Sequence, residues 1–227
     1  MSIPRLTLTL IMALLATSIK AETINCTAIT SLPATITAQG IYCLTGKLGT
    51  AQTSGVAITI NANNVTLDLN GWKVDGGAAG TSTTEIGIFS EANNVTIKNG
   101  IVRGFFAGIY LNGSGDVVQD VLLDTNYYLG IWTTGPGALV EHNQVVNSGY
   151  TTTGNTFGIL STGTGATISD NIVSGVTSGG GEEVGIGVNA ANSTVRNNVV
   201  SNTTLPSAGV TSYGIYNYAG NIVLNNT

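Results

Sequence analysis

Short runs of alternating apolar and polar residues, bounded by Gly, Asn, Ser and Thr, follow one another from Val56 onward. This is the pattern of half-buried strands, and no run has a helical period. The runs fall into threes. The first carries Gly-Ile, at Gly87-Ile88, Gly108-Ile109, Gly130-Ile131, Gly158-Ile159, Gly185-Ile186 and Gly214-Ile215. Successive glycines lie 21, 22, 28, 27 and 29 residues apart, and Val56-Ala57-Ile58 is a degenerate earlier copy. The second run is Val95–Ile97, Asp116–Val118, Ala138–Val140, Ala166–Ile168, Ser193–Val195 and Asn221–Val223. An apolar pair then follows, at Ile101-Val102, Leu122-Leu123, Val145-Val146, Ile172-Val173 and Val199-Val200.

A repeat of this length means a solenoid. Three strands per repeat, with no helix between them, describe one coil of a parallel β-helix. Between the second and third runs, 12 or 13 residues after each glycine, stand Asn99, Asp120, Asn143, Asn171, Asn198 and Asn226. Asn tolerates left-handed backbone angles at such a turn. Stacked about 4.8 Å from its counterpart on the next coil, its amide can bond to its neighbour. A leucine-rich repeat would need Leu-x-x-Leu-x-Leu, and a Ca-binding nonapeptide repeat would need Gly-Gly-x-Gly-x-Asp. Neither is present.

The pattern of Gly-Ile, short loop, x-Thr-Ile-x-x-Asn-x-Ile and variable loop, over roughly residues 56–227, resembles the repeat of the pectin-lyase-like superfamily. The resemblance is to an exported branch of it. It implies an all-β, right-handed parallel β-helix of about seven coils. It says little about activity, because that superfamily holds lyases, hydrolases, epimerases and adhesins.

Three segments are expected. Residues 1–21 read as a secretory signal: Arg5 gives the positive start, Leu6–Ile19 the apolar stretch and Ala21 a cleavage point. The apolar stretch is short for a membrane span, and nothing later resembles one. The mature chain is therefore expected in the periplasm or outside the cell. Residues 22–55 fall outside the repeat and hold the only cysteines, Cys26 and Cys43. They predict a short N-terminal cap closed by a disulfide. Residues 56–227 form the β-helix. The run ends at Asn226-Thr227 partway through a coil without a visible cap, which leaves two expectations, a truncated sequence or self-association that covers that end.

Charge is sparse, at 8% of residues. Loss of Arg5 and Lys20 with the leader takes the formal charge from −5 to −7. Lys47, Lys73, Lys98, Arg103 and Arg196 remain and do not cluster, so no nucleic-acid partner is expected.

With the Ile of each Gly-Ile strand pointing inward, the next residue points outward. Those residues are Phe89, Tyr110, Trp132, Leu160, Gly187 and Tyr216. Aromatics on three consecutive coils, beside loops carrying Tyr127, Tyr128, Tyr150, Phe157 and Tyr213, suit the apolar face of a sugar ring. The ligand-binding set is read as Phe89, Tyr110, Trp132, Tyr128, Tyr150 and Tyr216. The competing reading is that the stacked rings only stabilise the sheet.

Acid–base chemistry is thin. The sequence has no Asp-Asp pair, no Gly-His-Gly, no Arg-x-Lys and no Asp-Pro-His-Asp. His142 aligns near Asp120, and Arg103 aligns with Asp124 as a surface ion pair. Glu85 and Glu183 each precede a Gly-Ile by two residues, four coils or about 19 Å apart, too far for a glycosidase pair. They read as solvated surface, and Glu182-Glu183 as a weak cation candidate. No cofactor is expected; Ca belongs only to a lyase alternative. The sequence thus predicts an exported β-helix binding a polysaccharide or surface glycan without strong catalysis. A divergent polysaccharide lyase or hydrolase and a structural or adhesive solenoid are the alternatives.

Overall fold

The computed structural model describes residues 25–149, 154–203, 211–218 and 220–227. The leader falls outside them. Apart from one 3-10 turn at Gly77–Ala79, the described residues form strands, turns and loops. All strand pairs are parallel and join equivalent residues of successive repeats, as in Ile88↔Ile109 and Ile109↔Ile131. The chain is a parallel β-helix.

Eight strands make the first sheet, here the Gly-Ile sheet: Ala34–Ile36, Val56–Ile60, Ile86–Ser90, Ala107–Leu111, Leu129–Thr133, Thr156–Ser161, Glu183–Val188 and Ser212–Asn217. The second and third runs of each repeat make the other sheet, of 14 strands. They count as one sheet because Thr96–Arg103 and Val117–Asp124 pass through the corner between the two runs without a break.

Strand alternation builds the core as three aliphatic columns. Ile88, Ile109, Ile131, Ile159 and Ile186 come from the Gly-Ile sheet, Ile97, Val118, Val140, Ile168 and Val195 from the second run, and Val102, Leu123, Val145 and Val173 from the third. All are fully buried. Burial of each contributes about 2 kcal/mol.

The glycine before each core Ile has a steric reason. A Cβ on Gly87 would lie 2.5 Å from the carbonyl oxygen of Gly108, and one on Gly130 would lie 2.4 Å from that of Gly158. Gly108, Gly158 and Gly185 meet the next coil in the same way. The backbone at this column comes too close to the next coil for any side chain.

Three columns of left-handed residues turn the chain. One holds Asn64, Asn94, Gly115, Gly137, Gly165, Asn192 and Gly220; one holds Asn99, Asp120, His142, Asp170, Asn197 and Asn225; the third holds Gly104, Thr125, Asn147, Gly175 and Asn202. The Asn/Asp column read from the sequence therefore divides into two. Asn99 and Asp120 occupy the left-handed corner. Asn143, Asn171, Asn198 and Asn226 stand one residue later and form the inward amide ladder. Both positions favour Asn, for different physical reasons.

The Cys26–Cys43 disulfide is present at the N-terminal end. The segment it closes is built like the coils. Ala34–Ile36 pairs with Ile58–Ile60 in the Gly-Ile sheet, and Gly40–Cys43 pairs with Val65–Asp68 in the other.

Candidate functional site

The outward face of the Gly-Ile sheet carries the sequence-predicted column in the predicted register. Phe89 pairs with Tyr110, Tyr110 with Trp132, Trp132 with Leu160, Leu160 with Gly187 and Gly187 with Tyr216. The Tyr110 and Trp132 rings stack 4.3 Å apart at 10°, while Phe89 and Tyr110 are 5.2 Å apart and tilted by 57°. All three rings are half-buried.

A second outward column runs beside the first: Ile86, Ala107, Leu129, Phe157 and Val184. Its first four members pack with Trp132 and Leu160 into an apolar cluster outside the core. Tyr128, two residues before its Gly-Ile, stacks on Phe106 at 4.7 Å and 13°. Tyr216 meets Tyr213 edge-on at 5.2 Å. Tyr150 lies outside the described residues. Tyr127 is buried, and Phe157 and Tyr213 belong to strands rather than loops.

At the Gly187 end the face opens into a cleft of about 350 Å³. Phe157, Val184, Tyr216 and Tyr218 are its apolar and aromatic walls, and Asn155, Glu182 and Asn189 its polar rim. Asn155 and Glu182 fix each other across two coils: Asn155 Nδ2 donates to Glu182 Oε2 at 3.0 Å, and the Glu182 N–H donates to Asn155 Oδ1 at 2.9 Å. Phe106, Asn155 and Asn189 escaped the sequence reading, which has Glu182 only as half of a weak cation candidate. Counting two residues back from each Gly-Ile glycine finds the Phe106 column, namely Glu85, Phe106, Tyr128, Thr156, Glu183 and Ser212.

Glu85 and Glu183 are not solvated surface; both are fully buried. The loops between coils fold over them. Thr50 Oγ1 donates to Glu85 Oε1 at 3.3 Å, and the Ser178 N–H donates to Glu183 Oε1 at 2.8 Å. Neither Oε2 has a partner. Burial raises both carboxyls above the ordinary glutamate range, against the pull of those hydrogen bonds. Glu182 and Glu183 have different surroundings, one on the cleft rim and the other buried, and do not act as a pair. Asp116 is buried as well. Burial pushes it up to about 6, although the N–H groups of Val95 and Gly113 donate to its oxygens.

The five cations lie off the Gly-Ile strands, on the second and third runs or the turns beside them, and each meets an aspartate, Lys47 and Lys73 sharing one. Lys47 and Lys73 meet Asp75 at 3.4 and 3.1 Å, Lys98 meets Asp68 at 3.3 Å, and Arg196 meets Asp170 at 3.8 Å. Arg103 and Asp124 form the expected pair, at 3.5 Å. His142 shares its corner column with Asp120, but the two form no ion pair among the described residues. No helix among the described residues is long and apolar enough to cross a membrane.

No known family and no curated protein matches the chain in sequence. Among solved structures, it is similar to the crystal structure of the Dettilon tailspike protein. The likeness is one of fold. It covers 88% of this chain and 41% of the tailspike, with a TM-score of 0.59 and 18% identity. The chain thus spans about two fifths of the length of the protein it matches.

Proposed function

We propose that this chain is an exported β-helix, of the pectin-lyase-like kind, that binds a polysaccharide or surface glycan along the Gly-Ile sheet. One observation carries the reading. Tyr110 and Trp132 stack almost parallel on an outward, half-exposed face that continues through Leu160 to Tyr216. A row of rings at about 4.8 Å intervals gives a continuous apolar ridge of ring edges along which a chain of sugar rings can lie, its C–H groups against the ridge and its hydroxyls reaching the polar rim. The N-terminal leader pattern and the disulfide support export.

Binding rather than bond cleavage is favoured by the placement of the acids. Glu85 and Glu183 are buried beneath loops, about 19 Å apart by coil count, and cannot flank one glycosidic bond. Replacement of Trp132 by Ala is expected to weaken polysaccharide binding roughly tenfold, about 1.4 kcal/mol, with an unchanged β spectrum. Affinity electrophoresis in gels loaded with polysaccharide measures this. Equal retardation of the variant and the parent protein would refute the assignment.

A further inference from the structure

The glycan-binding reading leaves the chemical class of the sugar open, and the distribution of charge narrows it. We infer that the cleft at the Gly187 end holds a hexose unit of an uncharged glycan, with the Glu182 carboxylate accepting hydrogen bonds from its hydroxyls. This rests on the reading proposed above and goes beyond it.

Three observations point the same way. The first is the segregation of cations. Lys47, Lys73, Lys98, Arg103 and Arg196 belong to the second and third runs of their repeats or the turns beside them, and each is tied to an Asp. The Gly-Ile sheet therefore offers no positive charge to a uronate or sulfate. The second is the state of Glu182. Asn155 occupies its Oε2 and fixes its backbone, so the carboxylate is held in one orientation. Its Oε1 receives no hydrogen bond from the described residues. A fixed carboxylate oxygen accepts from sugar hydroxyls and repels an acidic sugar. The third is shape. At this coil the outward column lacks a side chain, Gly187 standing between Leu160 and Tyr216. The Phe157 ring leans over Gly187, within 2.9 Å of where a Cβ would be. With Phe157 laid over Gly187, its ring and Tyr216 are walls of a space of about 350 Å³ with a polar rim, within the size range of small-ligand sites.

The test uses dextran and galactomannan as neutral polymers, polygalacturonate and alginate as acidic ones, and chitosan as a cationic one. Binding to the full chain is measured by affinity electrophoresis and calorimetry at low salt. A neutral polymer is expected to bind and the acidic ones not to compete with it. Glu182→Gln is expected to weaken neutral binding roughly fivefold, and Glu182→Lys to admit polygalacturonate. Thermal unfolding of both variants checks that they are folded. Neutral binding that falls with Trp132→Ala but is unmoved by Glu182→Gln would overturn the cleft assignment and leave the glycan reading intact. Competition by polygalacturonate in the parent protein would also overturn it, as would tighter binding of chitosan than of either neutral polymer that persists at high salt and is lost in Glu182→Gln. Failure of every polymer to bind would remove the glycan reading itself, and the cleft assignment with it.

Discussion

Asn143 and Asn171 occupy one inward position on consecutive coils, and the Oδ1 of Asn171 accepts twice from Asn143, from its backbone N–H at 2.9 Å and from its Nδ2 at 3.1 Å. The ladder repeats to Asn198 and then to Asn226. Each amide in the ladder also donates to a backbone carbonyl of the preceding coil, as Asn171 does to Val140. Each buried Asn thus satisfies main-chain groups at the corner where the strands turn away from one another.

Asn171→Ala would remove the acceptor of the Asn143 N–H and of one Asn143 Nδ2 hydrogen, the other staying on the Val118 carbonyl, and would take the Asn171 donor from the Val140 carbonyl, in a site closed to water. A loss of roughly 3 kcal/mol is expected. Urea unfolding followed by circular dichroism measures it. A midpoint within error of the parent protein would show that the ladder is dispensable.

Two glycines separate close approach from backbone conformation. Gly130→Ala drives a Cβ to 2.4 Å from the Gly158 carbonyl and 2.6 Å from Val145. It is expected to destabilise by about 3 kcal/mol or more. Gly137 has a φ of 71° and open space around its Cβ position. Gly137→Ala is expected to cost only about 1 kcal/mol. Thermal midpoints of the two variants give the comparison, and the reverse order would refute the steric account of the Gly-Ile glycine.

Acid should stabilise this protein before it denatures it. Asp116 sits at about 6 in the folded state against an ordinary 3.8, so the native form binds more protons than the unfolded form between those values. Stability is then greatest near the lower value and falls as the pH rises towards 6, by on the order of 3 kcal/mol from this one group. Glu85 and Glu183 are raised too and act with the same sign. The thermal midpoint is expected to be higher at pH 5 than at pH 8. Asp116→Ser, which copies the Ser193 of a later coil, is expected to flatten that slope. A midpoint that increases with pH over this range would contradict the dominance of burial over hydrogen bonding at these carboxyls.

The disulfide closes a segment of 17 residues and joins Thr27–Ile29 to its neighbour Gly40–Leu44 at the end of the stack. Reduction, or Ser at both positions, is expected to cost about 3 kcal/mol on the chain-entropy account. Because each coil contacts chiefly its neighbours, the loss should be confined to the first coils. Hydrogen exchange with and without reductant would locate it. Uniform deprotection of the whole chain would refute this local role.

The register of the aromatic column was legible in the sequence because it follows from counting. Each Gly-Ile pair fixes one strand, and the residue after it has to face outward. The position of the amide ladder was not, because Asn99 and Asn143 sit at adjacent positions of the coil that both select Asn, one for its backbone and one for its side chain. The burial of Glu85 and Glu183 was not legible either. It depends on how Thr50 and Ser178, in loops of no fixed length, fold back over the sheet, and a repeat period carries no information about that. The Asn155–Glu182 rim joins residues 27 apart in sequence through the same kind of loop.

The sheet hydrogen bonds of this molecule join each coil to the next and run along the axis of the stack. Tension applied to the chain ends would therefore peel the terminal coil from its neighbour, and the chain would extend coil by coil instead of rupturing as a block. A coil of 27 residues, such as the one from Gly158 to Gly185, yields about 90 Å of extended chain. A tether built this way lengthens in steps under load and leaves the coils beyond the break folded.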